Sequence, residues 1–295
     1  MLHRKTRKRG GRLLGHGIQG AVYTPPLECA SGHSTRWQGE GYVAKVMDAE
    51  EARNEYRNSF LIRQLDPDGT WSILAEQSCE ISPNQTNANY KNSPDKRTQL
   101  IFRNGGKSLL DYLIQNGGNP DKLVFYLEGI DDGGDPDPQA FDYLNYHRLS
   151  TVVSAIKGLM PALDILNSRY SHTDLHLGNI VYDGETARLI DFSTLSPIDK
   201  EIALEMGHWT ELGITKLAKG HPWQEYLLSE ATSDKIRSND IAHLFKSLYS
   251  ILASKWVRQV SGGGYKNWVD KYSNWVDYLH FRSDFKVAIM EIPDL

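Results

Sequence analysis

Residues 172–193 read HTDLHLGNIVYDGETARLIDFS and contain the most informative motif of the chain. Asp174 and Asn179 stand five residues apart, and Asp191 ends the apolar, strand-like segment that follows them. Phosphoryl transfer needs a carboxylate near the attacking hydroxyl and oxygen ligands for Mg²⁺. These three residues supply that set. Ordinary structural roles, such as a histidine in the core or aspartates in turns, would explain each residue by itself but would not explain their spacing.

A glycine-rich pattern lies upstream, at residues 13–24. The pattern is Gly15-x-Gly17-x-x-Gly20-x-Val22. It fits both a dinucleotide fingerprint and a hairpin that covers phosphates. A dinucleotide fold needs a helix opening at the glycines, but residues 21–23 resemble a strand and the prolines at 25 and 26 would stop a helix. We therefore expect a hairpin whose backbone amides cover phosphates, with Val22 packing on a base.

A single lysine, Lys45, interrupts the apolar strand-like segment 42–46. A lysine that faces inward is costly unless it is paired, while a lysine on an exposed strand edge needs no partner. The helix expected next offers Glu55, and pairing with Glu55 would place the ammonium on the α- and β-phosphates. Glu51, one helical turn earlier, is the competing partner, and the sequence leaves both open.

Strand-like segments fill the first part of the chain, and helix-like segments fill the rest. Residues 100–102 form a further short strand candidate, and Gly105-Gly106 is a candidate hinge. The first expected helix covers residues 49–65, with Tyr56, Phe60, Leu61 and Leu65 on one face. Further helices are expected at 109–114 and at 149–166, the latter with a kink near Pro161. An apolar stripe over 241–252 predicts another helix. This order predicts an α+β protein with a tail at 1–12, a first lobe at 13–104 and a second at 105–295.

The charge of the chain is nearly balanced, with 33 Lys and Arg against 37 Asp and Glu and a formal net charge of -4. This balance argues against a protein covered by a nucleic-acid-binding surface. Basic residues nevertheless crowd residues 4–12, which predicts a solvated tail or a tether to nucleic acid or an acidic protein surface. The acidic, Gly/Pro-rich stretch 131–137 predicts a solvated loop rather than a metal site.

The chain contains two cysteines, Cys29 and Cys79, with no metal-ligand spacing and no disulfide framework. We therefore expect an intracellular, cytoplasmic, reducing environment. The N-terminus lacks the apolar run of a signal peptide, and no run of about 18 apolar residues suits a membrane span.

Taken together, the motifs resemble those of eukaryotic-type protein kinases, and most closely the divergent Ser/Thr kinase-like proteins of large nucleocytoplasmic DNA viruses. The resemblance runs in order from about residue 13 to residue 252. It rests on the glycine pattern, on residues 55–67 at the expected helix end, on 100–109 and on 172–193. It implies a bilobal protein-kinase-like fold, with a small antiparallel β-sheet lobe and a larger helical lobe.

The resemblance also implies a role for individual residues, with ATP and Mg²⁺ as cofactors. Lys45 and Glu55 would form the ion pair, Asp174 would be the catalytic base, and Asn179 and Asp191 would be the Mg²⁺ ligands. Residues at the nucleotide would be Gly15, Gly17, Gly20, Val22, Ala44 and Lys45. Asp240 resembles the buried aspartate that braces the catalytic loop.

Three departures from the family pattern bear on substrate and regulation. Thr173 stands where many kinases have Arg, so we expect activity without phosphorylation of an activation loop. His176 replaces a Lys common in Ser/Thr kinases, and Ser193 replaces a flexible Gly.

The leading prediction is a kinase of Ser/Thr residues in proteins. One alternative is a small-molecule kinase of the aminoglycoside-phosphotransferase type, whose Asp-x-His-x-Gly-Asn pattern is similar. The other is a structural or binding protein of a virus particle, with its basic tail on nucleic acid or a capsid protein. These predictions imply that the protein is located in the host cytoplasm and in the virion.

Overall fold

The structure is a computed structural model. It describes residues 11–16, 20–32, 37, 39, 41–83, 98–114, 144–198, 233–254, 257, 261, 263–273 and 282–294. Two compact units make up the chain: Met1–Gly105 with Asp191–Ser193, and Gly106–Ile190 with Thr194–Leu295. Gly17, most of the basic tail and the acidic stretch 131–137 lie outside the described residues.

The first unit contains an antiparallel sheet of five strands. The strands are β1 (Arg12–His16), β2 (Ala21–Thr24), β3 (Tyr42–Met47), β4 (Gln77–Glu80) and β5 (Thr98–Arg103), in the spatial order β1-β2-β3-β5-β4. The hairpin of β1 and β2 carries an irregularity between Leu13 and Gly15. The predicted strands in this part of the chain are therefore confirmed.

Strand β3 has two different faces because side chains alternate along a strand. Met47 packs in one cluster with Leu100 of β5, and Val43 joins it. Val46 packs in a second cluster with Tyr23 of β2. Position 45 therefore belongs to the face of Val43 and Met47.

Helix α1 (Ala49–Arg63) covers the Met47 face of the sheet, where Ala52 and Tyr56 pack. The Asp48 side chain caps the helix by accepting hydrogen bonds from the N–H groups of Glu50 and Glu51, which satisfies two otherwise unpaired donors.

The apolar face expected for this helix is only partly right. Phe60 is 48% exposed, and the most buried residues of α1 include polar ones. They are Ala52, Glu55, Asn58, Ser59 and Ile62. A buried polar face requires partners, and those partners define the site described below.

The two cysteines of the first unit form a disulfide, Cys29–Cys79, with a Cα–Cα distance of 5.8 Å. The expectation that they form no disulfide is wrong, because the antiparallel bridge of Cys29 with Ile81 brings two segments separated by 50 residues together. The intracellular location was predicted from the lack of a disulfide, so that argument no longer supports it.

The second unit combines short β-ladders with helices. Its strands are β6 (Lys107–Ser108), β7 (Tyr170–Ser171), β8 (Ile180–Tyr182), β9 (Ala187–Leu189) and β10 (Ser196–Pro197), in sheets ordered β6-β8-β9 and β10-β7. Its helices are α2 (Leu109–Leu113), α3 (Leu149–Leu166), α4 (Ser233–Ala253), α5 (Lys266–Tyr272) and α6 (Arg282–Met290). The protein is thus a mixed α+β structure with a small antiparallel sheet and several helices.

Helix α3 is the main core helix of this unit, with a continuous buried stripe. The stripe consists of Leu149, Val152, Val153, Ile156, Leu159, Met160, Ala162, Leu163 and Leu166. Within the described residues, the segment Tyr146–Leu166 is long and apolar enough to cross a membrane by length and composition alone, and half of it is buried in the fold. A core helix has the same properties, so the absence of a membrane span stays a prediction.

An aromatic cluster holds α4 against the two C-terminal helices. Phe245 of α4 contacts Trp268, Tyr272 and Phe285, with ring centroids 5.2–6.0 Å apart. The indole N–H of Trp268 donates a hydrogen bond to the Ala288 carbonyl. Helix α4 also carries Asp240, whose carboxylate binds the start of the loop at 172–179.

Candidate nucleotide-phosphate site

Lys45 is the central residue of the polar group in the first unit. It lies on the sheet face that α1 covers, and its Nζ is 3.0 Å from Oε2 of Glu55 and 2.7 Å from Oδ1 of Asp191. The exposed side-chain fractions are 14% for Lys45, 2% for Glu55 and 18% for Asp191. The sequence left open whether Lys45 pairs with Glu55 or Glu51; the structure has the pair with Glu55.

The pKa values of this group reflect burial and mutual charge. Burial lowers the pKa of Lys45, but the Glu55 and Asp191 carboxylates outweigh it and leave the pKa raised. Burial and the Asp191 charge raise the pKa of Glu55 to about 7, against the opposing effect of Lys45. Lys45 therefore stays cationic while Glu55 titrates near neutral pH.

The segment Asp191–Ser193 is held by side chains of its own unit. Asp191 has a left-handed backbone, with φ of 61°, which is uncommon for a residue other than glycine. Ser193 Oγ donates a 2.8 Å hydrogen bond to Oδ1 of Asp191. The Asn58 amide donates to the carbonyls of Phe192 and Ser193. Sequence reasoning missed Asn58, although its position three residues after Glu55 places it on the same side of α1.

The glycine hairpin contains two glycines that differ in their surroundings. A Cβ on Gly20 would lie 2.2 Å from the Val46 carbonyl oxygen, so the close approach of β3 requires glycine there. Among the described residues, a Cβ on Gly15 would meet no atom within 4 Å. The packing of the described residues therefore gives no reason for a glycine at position 15, whereas a ligand that approaches the hairpin backbone would give one.

Of the two apolar residues predicted at the nucleotide, only Val22 lies on the face of Lys45. Val22 is the cross-strand partner of Lys45, and such partners share a face. Ala44 pairs with Tyr23, is fully buried and lies on the opposite face. The structure thus separates Ala44 from Lys45, and Val43 is the β3 neighbour that shares the face of the lysine.

In the second unit, Asp174 and Asn179 face each other across one loop. The Asn179 amide nitrogen donates hydrogen bonds to the Asp174 carbonyl at 2.8 Å and to its carboxylate Oδ2 at 3.2 Å. Asn179 ends the short 3₁₀ turn Leu177–Asn179 and is buried, whereas the Asp174 side chain is 41% exposed. The loop therefore presents an oriented carboxylate to its surroundings.

The carboxylate of Asp240 in α4 holds this loop in place through hydrogen bonds. It is 1% exposed, and its carboxylate accepts hydrogen bonds from the N–H groups of His172 and Thr173. Asn167 and Ser171 donate two more from their side chains. Such a set fixes the backbone at Thr173, whose φ of 68° is left-handed.

His176 packs directly on Gly178. The Gly178 N–H donates a 3.0 Å hydrogen bond to Nδ1 of His176, and a Cβ on Gly178 would lie 2.6 Å from the ring. Because Nδ1 accepts, the proton of the neutral ring is on Nε2, which lies 3.9 Å from Oδ1 of Asp174. The imidazole thus presents a donor toward the predicted base.

Asn179 in the second unit and Asp191 in the first each carry side-chain oxygen of the type that Mg²⁺ binds in phosphate sites, where it takes one or two protein oxygens together with phosphates and water. The amide nitrogen of Asn179 is used in hydrogen bonds to Asp174, and the side-chain oxygen of Asn179 is an atom of the type that Mg²⁺ binds. Asp191 supplies carboxylate oxygen. Within the described ranges, no group of three or more His, Cys, Asp or Glu residues is arranged to hold a metal ion by itself.

The structure brings Lys45, Glu55 and Asp191 together in one unit, and Asp174 with Asn179 in the other. No protein-family model matches the chain, and no curated protein matches it.

Proposed function

We propose that this protein is an ATP- and Mg²⁺-dependent phosphotransferase with a bilobal protein-kinase-like fold, similar to the kinase-like proteins of large DNA viruses. Its substrates would be Ser and Thr hydroxyls of proteins. The observation that carries the proposal is the position of Lys45 between Glu55 and Asp191 at 3.0 and 2.7 Å. A cation held this way by two carboxylates is preorganised to meet phosphate oxygens without reorganising.

Each residue has a specific task in this proposal. Lys45 binds α- and β-phosphate oxygens, and Glu55 keeps the ammonium in place. Asp191 and Asn179 would hold Mg²⁺, which neutralises charge on the phosphates when bound. Asp174 orients the acceptor hydroxyl and accepts its proton, and the Asn179 amide fixes the Asp174 carboxylate. Catalysis of this kind depends on position and electrostatics.

The test is transfer of labelled phosphate from ATP to a protein substrate mixture in the presence of Mg²⁺. Asp174→Asn removes the base and preserves size, and we expect a loss of about 10²- to 10⁴-fold. Asp68→Asn is the matched control, since Asp68 is an exposed aspartate in the turn after α1. Transfer that survives Asp174→Asn unchanged would exclude the proposal.

The small-molecule kinase remains the second candidate because of His176. Its imidazole stands 3.9 Å from the Asp174 carboxylate, where Ser/Thr kinases usually have Lys. Parallel assays with a protein mixture and a panel of hydroxylated small molecules separate the two functions. Label in the small molecules alone would favour this second candidate.

A structural or binding role is tested without any substrate. A ligand at a hundred times its Kd adds about 2.7 kcal/mol to stability, which thermal unfolding detects. No stabilisation by Mg-ATP, at nucleotide concentrations up to the millimolar range, would favour a non-enzymatic role.

A further inference from the structure

Asn58 connects helix α1 to the segment that carries Asp191. Its amide nitrogen donates to the Phe192 carbonyl at 2.7 Å and to the Ser193 carbonyl at 3.3 Å. The asparagine is 6% exposed, and Phe192 is 1% exposed. These bonds link positions more than 130 residues apart in the chain, and both are within the first unit.

The same segment reaches α1 by a second route. Asp191 binds Lys45, and Lys45 binds Glu55, which lies one turn before Asn58 on α1. The contacts therefore close a ring that runs from Glu55 through Lys45 and Asp191 to the backbone after it, and back to α1 through Asn58. Removing any one member opens the ring but leaves the others attached.

The left-handed backbone conformation of Asp191 explains why the contacts of this ring matter. A left-handed φ at a residue other than glycine costs energy and persists when the surroundings hold it. Asn58 holds the two carbonyls that follow, and Ser193 Oγ holds the carboxylate itself. Without Asn58, the buried bond to the Phe192 carbonyl and the part-buried bond to the Ser193 carbonyl would both be lost, which removes part of what holds this backbone.

We propose that Asn58 is a positioning residue, which couples the metal-binding carboxylate of Asp191 to helix α1, so that Lys45, Glu55 and Asp191 stay in one arrangement. The part that concerns Mg²⁺ rests on the proposed function. The coupling itself is a property of the first unit without any ligand. Ser193, which stands where the resembled kinases have glycine, strengthens the same arrangement.

The first experiment measures this coupling in nucleotide-free protein. Asn58→Asp has the same size but presents oxygen to two carbonyls, and Asn58→Ala removes the donor without that repulsion. Asn54→Asp is the matched control, because Asn54 is exposed one turn earlier on the same helix. Loss of the bonds should speed hydrogen exchange of the peptide that covers residues 191–195 by about tenfold or more, while the control leaves it unchanged.

The second experiment separates positioning from a general loss of structure. We expect the Mg²⁺ concentration for half-maximal stabilisation by ATP to rise about tenfold in Asn58→Ala, on the scale of one lost buried hydrogen bond. Affinity for ADP without Mg²⁺ should stay at the level of the Asn54→Asp control. A purely structural role would weaken both to the same extent.

The outcomes are distinguishable from a failure of the proposed function. If the unchanged protein binds no Mg-ATP, the function fails, and exchange at residues 191–195 still tests the coupling. Exchange that is the same in Asn58→Ala as in the unchanged protein would overturn the inference, whatever the activity. If Asn58→Asp fails to fold, Asn58→Ala decides the question by both measurements.

Discussion

The hydroxyl of Thr173 donates a 2.6 Å hydrogen bond to the carbonyl of Thr194. The Thr194 hydroxyl in turn donates to the carbonyl of His172 at 3.1 Å. Two hydroxyls thus tie the loop at 172–174 to the residues after Ser193 inside the second unit, without any charged group. Many protein kinases have an arginine at the position of Thr173 and use it to bind the phosphate of a phosphorylated activation loop.

Because neutral hydroxyls make this connection, we predict that activity does not need phosphorylation. Phosphatase treatment should leave ATP-dependent phosphate transfer unchanged. Thr173→Val, which removes the donor and keeps the shape, should reduce transfer and destabilise the unit by about 1–3 kcal/mol. Mass spectrometry before and after treatment verifies the phosphate state, and a complete loss of activity on dephosphorylation would refute the prediction.

The two described glycines of the hairpin should respond differently to alanine. Gly20→Ala places a Cβ 2.2 Å from the Val46 carbonyl oxygen, and overpacking of this kind costs about 1–3 kcal/mol. The methyl group of Gly15→Ala meets no atom of the described residues within 4 Å, so the free energy of unfolding should change by no more than about 0.5 kcal/mol. We expect Gly15→Ala to weaken ATP binding instead, because its methyl group would meet the phosphates. Denaturant unfolding and nucleotide titration of both variants check this, and equal ATP affinity in Gly15→Ala would contradict the phosphate-covering role.

The raised pKa of Glu55 predicts a pH-dependent stability. The folded protein binds this proton more tightly than the unfolded chain, since the pKa rises from its usual 4.5 to about 7. The stabilisation is complete below about pH 4.5 and is lost as the pH rises through about 7. It amounts to a few kcal/mol at most, at about 1.4 kcal/mol for each pKa unit.

The measurement is the unfolding free energy of metal-free protein between pH 4.5 and pH 8. Glu55→Gln carries no titrating group there, so the difference between the two proteins should change with pH in the stated direction. Parallel pH profiles for the two proteins would rule out the raised pKa.

Asp240 should be one of the most important residues for the stability of the second unit. Asp240→Ala leaves four donors without their acceptor, two of them backbone N–H groups, and should cost roughly 3 kcal/mol or more. Asp164→Ala is the control: Asp164 binds Lys286 at a partly exposed position, where such a pair contributes at most about 1 kcal/mol. Urea unfolding compares them, and equal losses would argue against the bracing role.

The disulfide predicts that neither cysteine reacts in the unreduced protein. Alkylation followed by mass measurement should add nothing before reduction and two groups after it. A crosslink across a sequence separation of 50 residues stabilises by about 4 kcal/mol in the chain-entropy treatment. The double variant Cys29→Ala with Cys79→Ala should unfold at correspondingly lower denaturant, and two reactive thiols in native protein would disprove the pairing.

Much of the fold could be predicted where the pattern is local. The alternation at 42–47 predicted β3, and the helix after Asp48 was predicted to within two residues at its C-terminal end. The apolar stripe at 149–166 predicted the core helix α3. Each depends on neighbours within a few positions, so the sequence carries the whole signal.

The site was predicted in part. Lys45, Glu55 and Asp191 were named from motif and resemblance, and they meet in one unit. Ala44 was named as well, but strand alternation turns it to the other face of β3. Asn58 was missed because an asparagine within a helix has no distinctive pattern, and its role depends on carbonyls more than 130 residues away.

Local sequence patterns were sufficient to predict the helices and strands named above and the side-chain types present at residues 172–193. The pairing of Lys45 with Glu55, the disulfide of Cys29 with Cys79 and the hold of Asn58 on the backbone after Asp191 became visible only in the folded chain. The reason is physical: hydrophobic periodicity and helix capping act over a few residues, whereas a buried polar side chain takes whichever partner the packed chain brings within about 3 Å.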